Sequence, residues 1–134
     1  MSNVFLQSGD IEQLEKRVRA HLVNSVGGFK SVVLVGTKNQ SGNNNLAIFS
    51  SVLHIGAHPP LIALIFRPSP PQRDTLRNLL DSGFYTLNHL NESMYRKAHQ
   101  TSARYEADES EFDAVGLTPE FKNGFQAPFV TESN

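Results

Sequence analysis

The chain has 134 residues, a length typical of one domain, and 39% of them are hydrophobic, which is enough to build a core. Its 12 basic and 13 acidic residues leave a formal net charge of −1, so nothing in the charge attracts it to nucleic acid or to an anionic membrane. The lack of cysteine excludes disulfides, thiolate nucleophiles and cysteine-bound metals.

The first residues carry no secretory signal pattern, and the most apolar run of the sequence is too short to cross a membrane. We therefore expect a cytoplasmic protein with a single domain over residues 1–134. A first helix is predicted from about Asp10 to Asn24, with Asp10 as its N-cap and Gly27 and Gly28 at its end.

The pattern then changes to that of strands, and a barrel is expected to begin near Phe29. Phe29 to Thr37 and Asn45 to His54 are predicted to pair as a hairpin, because residues 38–44 are typical of a turn. Leu61 to Phe66 is apolar at every position, which predicts a strand buried on both faces, either in a barrel core with a dimer contact or beneath helices.

The second half of the chain alternates helices and strands. Three prolines between Arg67 and Arg73 exclude regular structure there. The further predicted elements are a helix at Thr75 to Ser82 capped by Asp74, a strand at Phe84 to Leu90, a helix from Asn91 to about His99, a helical turn at Ser110 to Val115 and a strand at Ala127 to Glu132. This order of elements predicts a mainly β fold, a β-barrel with peripheral α-helices.

Several motifs of known chemistry are missing from the sequence. It contains no G-x-G-x-x-G after a strand, no G-x-x-x-x-G-K-[ST] and no H-E-x-x-H, which argues against a Rossmann domain, a phosphate-loop NTPase and a zincin. His54 and His58 are four residues apart, but Gly56 and Pro59 disfavour a helix between them. We therefore expect no metal site.

One segment, Gly42 to Pro60, could line a flat ligand. Its small residues Ala47, Ser50 and Ser51 would let a ring approach the backbone, whose N–H and C=O groups can bond the edge of a heterocycle. From the residues alone, an ordinary strand that tolerates serines is the better interpretation.

A second segment, Arg67 to Arg77, could hold a phosphate. Its arginines, the hydroxyl of Thr75 and the start of a helix are suitable donors, although Asp74 would compete for the same amides. A capped helix in solvent explains the pattern equally well. A third segment, His89 to Tyr105, mixes polar residues on a strand end and a helix, and alone it indicates only solvent contact.

Seven short motifs follow one another from about Phe29 to the last residue. They are N-L-A-I-F-S at Asn45 to Ser50, H-P-P-L-I at His58 to Ile62, R-P-S-P-x-x-x-D-T-L at Arg67 to Leu76, F-Y-T-L-N-H at Phe84 to His89, A-H-Q-T-S-A at Ala98 to Ala103, S-E-F-D-A-V-G-L-T-P at Ser110 to Pro119 and A-P-F-V-T-E-S at Ala127 to Ser133. Together they resemble the flavin reductase-like, FMN-binding split-barrel family.

The resemblance implies a homodimer with one FMN near each subunit interface. It assigns Asn45, Leu46, Ala47 and Ile48 to the isoalloxazine, Ser50 and Ser51 to the ribityl-phosphate path, Arg67, Arg73 and Thr75 to the phosphate, and His99 and Thr101 to the closing side of the site. It also implies hydride transfer from NAD(P)H to the flavin. Because the flavin carries that chemistry, no catalytic side chain is named.

Family members usually continue beyond the last of these motifs, whereas this sequence stops at Asn134. We expect either a truncation or a partner that replaces the remaining strands, since a missing strand leaves backbone groups unpaired. Three hypotheses follow: an NAD(P)H-dependent flavin oxidoreductase, a non-catalytic FMN-binding or electron-carrier protein, and a truncated remnant without cofactor.

Overall fold

The computed structural model describes residues 4–68, 73–106 and 108–133, and the chain divides into two compact units, Met1–Lys30 and Ser31–Asn134. The N-terminal unit holds α1 (Ser8–Gln13) and α2 (Lys16–Val26). The predicted single helix is therefore wrong, because the chain is extended at Leu14. The Glu15 carboxylate accepts from the amides of Arg17 and Val18 and begins a new helix.

The second unit holds three small antiparallel sheets and three helices. Its elements are β1 (Val33–Lys38), β2 (Asn44–Phe49), β3 (Val52–Ala57), β4 (Pro60–Leu64), α3 (Asp74–Ser82), β5 (Thr86–His89), α4 (Tyr95–Gln100), α5 (Glu111–Val115), β6 (Pro119–Glu120) and β7 (Phe129–Val130). The central sheet has the order β2-β1-β5, β3 pairs with β4, and β6 pairs with β7. None of the helices in the described residues is long and apolar enough to span a membrane.

The predicted hairpin exists, but its second strand is shorter than expected. β1 pairs with β2 from Val33 opposite Phe49 to Lys38 opposite Asn44. The predicted strand from Asn45 to His54 breaks at residues 50–51, and β3 belongs to another sheet. Ser51 is held there by Ile65, because its hydroxyl donates to the Ile65 carbonyl at 2.8 Å and its carbonyl accepts the Ile65 amide at 3.0 Å.

The two faces of the central sheet carry different chemistry because side chains alternate along each strand. Leu34 and Leu46 lie on one face within the hydrophobic core, which also contains Met94, Ala98, Phe112, Val115, Leu117 and Val130. Thr37 and Asn45 lie on the opposite face, against α3. The sheet is therefore covered by α4 and α5 on its apolar face and by α3 on its polar face.

Residues 127–133 pack closely against the backbone of β1 on the apolar face of the sheet. A Cβ at Gly36 would collide with the carbonyl oxygen of Pro128 and would stand 2.6 Å from Thr86 Oγ1. Thr86 Oγ1 donates to that same carbonyl at 2.5 Å, and Asn88 Oδ1 accepts the Val130 amide at 2.9 Å. The predicted strand at Ala127 to Glu132 is short here, because side chains take some of its backbone bonds.

Within the single chain, Leu61 to Phe66 is not buried on both faces, so the predicted burial beneath helices is not found and burial in a dimer contact stays a prediction. Leu61, Ile62 and Ile65 are 49%, 52% and 49% exposed. The hairpin of β3 and β4 has two strands, and no third layer covers these side chains among the described residues. Apolar composition alone does not determine what lies against a strand.

The predicted mainly β composition is not confirmed. Helices account for 30% and strands for 25% of the described residues, and the sheets do not close into a barrel within them. The helices form where the sequence has local signals for the start and end of a helix. An example is Gly83, which ends α3 in the left-handed conformation with a φ of 74°.

Candidate functional site

A buried polar network joins β2, β1 and α3. Asn45 Nδ2 donates to Thr75 Oγ1 at 3.0 Å and to Thr37 Oγ1 at 3.2 Å, and Asn78 Nδ2 donates to Thr37 at 3.2 Å. All four side chains are buried. Two predicted site residues, Asn45 and Thr75, are thus brought together. Both amide hydrogens of Asn45 are engaged, while Thr75 accepts and keeps its own O–H for donation.

The strand predicted to line a flat ring alternates between the two faces of the sheet. Leu46 is fully buried in the core, and Ile48 packs against the same cluster. The Leu46 amide donates to Glu111 Oε2 at 3.0 Å, so it points away from β1 at the outer edge of the sheet. Because backbone directions alternate along an antiparallel strand, the Ile48 amide faces the same edge, whereas Asn45 and Ala47 face β1.

The connection between β2 and β3 approaches the start of the arginine segment. Phe49 and Phe66 pack edge to face, with ring centroids 5.1 Å apart. Ser50 is exposed, and Ser51 is bonded to Ile65. Arg67 directly follows Phe66 and is exposed, so it lies near the end of β2 that carries the two serines.

The start of α3 differs from its prediction. Arg73, rather than Asp74, occupies the N-cap position, and no side chain caps the helix. The Asp74 carboxylate pairs with Arg77 instead, three residues along the helix. Arg73 is exposed beside Thr75, and residues 69–72, which complete the predicted phosphate segment, lie outside the described residues.

The two remaining predicted site residues lie at the end of α4. Thr101 is buried, and its hydroxyl donates to the Ala98 carbonyl at 2.8 Å within the same helix. His99 is exposed. Since Ala98 belongs to the apolar core, α4 covers the face of the sheet opposite α3. The structure therefore does not bring the Thr101 hydroxyl into the network of Asn45 and Thr75.

One residue of the site was missed by the sequence reasoning. Glu111 begins α5 and bonds the Leu46 amide across 65 residues of sequence. Burial raises its pKa, and the neighbouring carboxylates of Asp74 and Glu109 raise it further, although backbone hydrogen bonds partly oppose this. The Glu111 side chain lines a polar pocket together with Asn44. The sequence pattern of Ser110 to Val115 does not indicate a contact with β2, which is why Glu111 was not predicted as a site residue.

Comparison with known proteins identifies the family. Residues 27–134 match the model of the flavin reductase like domain. The chain belongs to this family. The recognition made from the seven motifs is thereby confirmed, and the match includes β1 to β7 and all three helices of the second unit.

Solved structures of the family share the fold. A protein from Shewanella frigidimarina, assigned as a flavin reductase with a split-barrel domain, is 54% identical, with a TM-score of 0.92 over 98% of this chain and 65% of its own. Nitrilotriacetate monooxygenase component B from Bacillus cereus is 26% identical, with a TM-score of 0.85 over 99% of this chain and 66% of its own.

A curated relative, an uncharacterised protein of Aquifex aeolicus, is 30% identical over 101 residues, which are 74% of this chain and 52% of the relative. The flavin reductase-like chain described here thus spans about half the length of this curated relative and about two thirds of the two solved chains.

Proposed function

We propose that the chain forms the FMN-binding part of an NAD(P)H-dependent flavin oxidoreductase. The observation that carries this proposal is the position of β2 between the two ends of the arginine segment. Asn45, at one end of β2, bonds Thr75 in the first turn of α3, and Phe49, at the other end, packs on Phe66. The strand suited to a flat ring therefore contacts the chain on both sides of residues 69–72, at Phe66 and at Thr75.

The arginine segment supplies the charges that an FMN phosphate requires. Arg67 and Arg73 are both exposed, and guanidinium groups bind phosphate through paired hydrogen bonds. Thr75 can donate its hydroxyl, since it only accepts from Asn45. Because Asp74 is paired with Arg77 and no side chain caps α3, the first amides of this nine-residue helix add further donors.

The isoalloxazine contacts are assigned to the backbone of residues 45–48 and to the small side chain of Ala47. The side chains of Asn45 and Leu46 are engaged inside the protein, which favours contact through the main chain. Ser50 and Ser51 are assigned to the path between ring and phosphate. His99 and Thr101 stay predictions, and the bond of Thr101 to Ala98 favours His99 of the two.

Bound FMN would supply the hydride acceptor, and a reduced nicotinamide would supply the hydride. The residues of the chain would orient the ring and hold the phosphate, and none of them is assigned a proton-transfer or nucleophilic step. We further propose that the protein acts in the cytoplasm as a homodimer. Exposed apolar side chains of the β3–β4 hairpin and of the residue after it support the homodimer, and they are Leu53, Ile55, Leu61, Ile62 and Ile65.

The visible absorption spectrum of the purified chain tests the proposal, first with added FMN and then with NADH under anaerobic conditions. Flavin bands that stay with the protein and bleach on addition of NADH are the expected result. Bands that do not bleach with NADH or NADPH would indicate a non-catalytic flavin-binding or electron-carrier protein. A colourless chain that retains no added FMN would refute both functions.

A further inference from the structure

The outer edge of β2 is held by a single carboxylate from a distant part of the sequence. Within the part of the chain that the structure describes, β2 is the outermost strand of the central sheet, and its outward amides have no neighbouring strand. At Leu46 this amide donates to Glu111 Oε2 at 3.0 Å. Glu111 sits at the start of α5, whose Phe112 and Val115 lie in the same core as Leu46. The bond and the shared core contacts together hold β2 against α5.

We propose that Glu111 is a positioning residue of the flavin site, acting through the backbone of β2. This inference rests on the proposed function, because β2 provides the main-chain contacts assigned to the flavin ring. Glu111 occupies the outward amide of Leu46, which leaves Ile48, two residues along the strand, as the next amide facing the outer edge. A change at Glu111 would alter the position of this amide without removing any group assigned to contact the flavin.

The charged groups around Glu111 make its hydrogen bond with the Leu46 amide dependent on pH. Asp74 and Arg77 face it from α3, and Glu106 and Glu109 face it from the chain before α5. Arg77, the cation among these pocket residues, is paired with Asp74. Burial and the carboxylates of Asp74 and Glu109 raise the pKa of Glu111. Protonation weakens a carboxylate as an acceptor, so the hold on Leu46 weakens as the pH falls through this raised pKa.

Two substitutions separate the hydrogen bond from the charge. E111A removes the acceptor, and we expect the Kd for FMN to rise roughly fivefold at pH 7, equivalent to about one net hydrogen bond, with a shift in the visible spectrum of the bound flavin. E111Q keeps a neutral amide oxygen for the Leu46 N–H, and we expect it to recover only part of this loss, because a charge-assisted hydrogen bond is stronger than a neutral one. E106Q removes a charge from the same pocket wall and serves as the matched control.

A pH profile provides a readout that a merely structural role would not produce. At each pH, the Kd for FMN of the unsubstituted chain is divided by the Kd of E111Q. We expect this ratio to rise as the pH falls through the acid range. The titration of the FMN phosphate cancels in this ratio. Over the same range the folded unsubstituted chain should become more stable relative to E111Q, because protonation relieves the repulsion. Affinity and stability thus move in opposite directions.

The outcomes distinguish the two proposals. If the unsubstituted chain binds FMN and E111A matches it in Kd, spectrum and pH profile, Glu111 has no positioning role and the flavin proposal is unaffected. If the E111A chain does not fold, a flat ratio between the unsubstituted chain and E111Q across the acid range overturns the inference alone. If the unsubstituted chain binds no FMN, both proposals fail.

Discussion

Asn45 Nδ2 lies 3.0 Å from Thr75 Oγ1 and joins the outer strand of the central sheet to the first turn of α3. Both residues were predicted from the sequence to contact FMN, yet in the structure they contact each other. The bond holds the start of α3 against β2, so the network supports the arginine segment as well as the sheet.

Replacing Asn45 by alanine should destabilise the fold. The substitution leaves the buried hydroxyl of Thr75 without its donor and removes one of the two donors to Thr37, and an unsatisfied buried group typically costs about 1–3 kcal/mol. Urea denaturation of N45A measures this cost. N43A changes an exposed asparagine two residues away and should stay within about 0.5 kcal/mol of the unsubstituted chain. Equal stabilities for the two variants would mean that the network contributes nothing.

Gly36 should not tolerate a side chain. A Cβ would collide with the Pro128 carbonyl and approach Thr86 Oγ1 to 2.6 Å, so G36A must displace residues 127–133 at a cost of about 3 kcal/mol or more. G56A is the matched control, because a Cβ there would have its nearest neighbour, the Pro59 carbonyl oxygen, at 3.4 Å. A lower urea midpoint for G36A alone is expected, and similar midpoints would contradict the close approach.

Glu111 and Glu132 should have opposite effects on stability as the pH changes. The pKa of Glu111 is raised in the folded chain, so above that pKa its charge is destabilising, and below about 4.5 the penalty is absent. E111Q should therefore unfold at a higher temperature than the unsubstituted chain at pH 7, and the difference should disappear as the pH falls. Thermal unfolding between pH 4 and pH 8 provides the measurement, with E106Q as control.

For Glu132 the sign is reversed. Desolvation opposes its ionisation, but the Thr118 amide at 3.1 Å and hydroxyl at 2.9 Å donate to its carboxylate and lower its pKa. Its contribution is present above about pH 4.5 and is lost as the pH falls through the lowered pKa. E132Q should be less stable than the unsubstituted chain at pH 7 and equal to it in strong acid. T118V, which keeps the amide donor, should show a smaller loss.

The arginine segment can be tested with two forms of the flavin. R67A and R73A should each weaken FMN binding about tenfold or more, as expected for a lost charge-assisted bond, while riboflavin, which lacks the phosphate, should bind as before. R104A removes an exposed arginine outside the proposed site and is the matched control. An equal loss of FMN and riboflavin affinity would assign the two arginines a structural role instead.

The features that the sequence predicted well are local. The β1–β2 hairpin follows from a polar turn between two β-branched segments, and the end of α3 follows from Gly83, which adopts the positive φ that glycine favours. The family was also recognisable, because its motifs are short and contiguous.

The features that were missed depend on partners distant in sequence. Whether Leu61 is covered depends on layers that its own segment does not encode, and the bond from Glu111 to Leu46 spans 65 residues. Asp74 was expected to cap α3, but a carboxylate in the first turn can also pair with a cation three residues later, and here Arg77 provides it. Whether Asp74 caps the helix or pairs with Arg77 depends on how the folded chain packs around it.

The dependence of β1 and β5 on residues 127–133 affects how the protein folds during synthesis. The bond from Thr86 to Pro128 and the bond from the Val130 amide to Asn88 each span 42 residues. Contacts of this separation close large loops and fold slowly. While a ribosome makes the chain, the bonds of Thr86 and Asn88 to residues 127–133 cannot form until those residues emerge. During that interval the central sheet lacks these bonds, and incompletely packed intermediates of this kind are in general prone to aggregation.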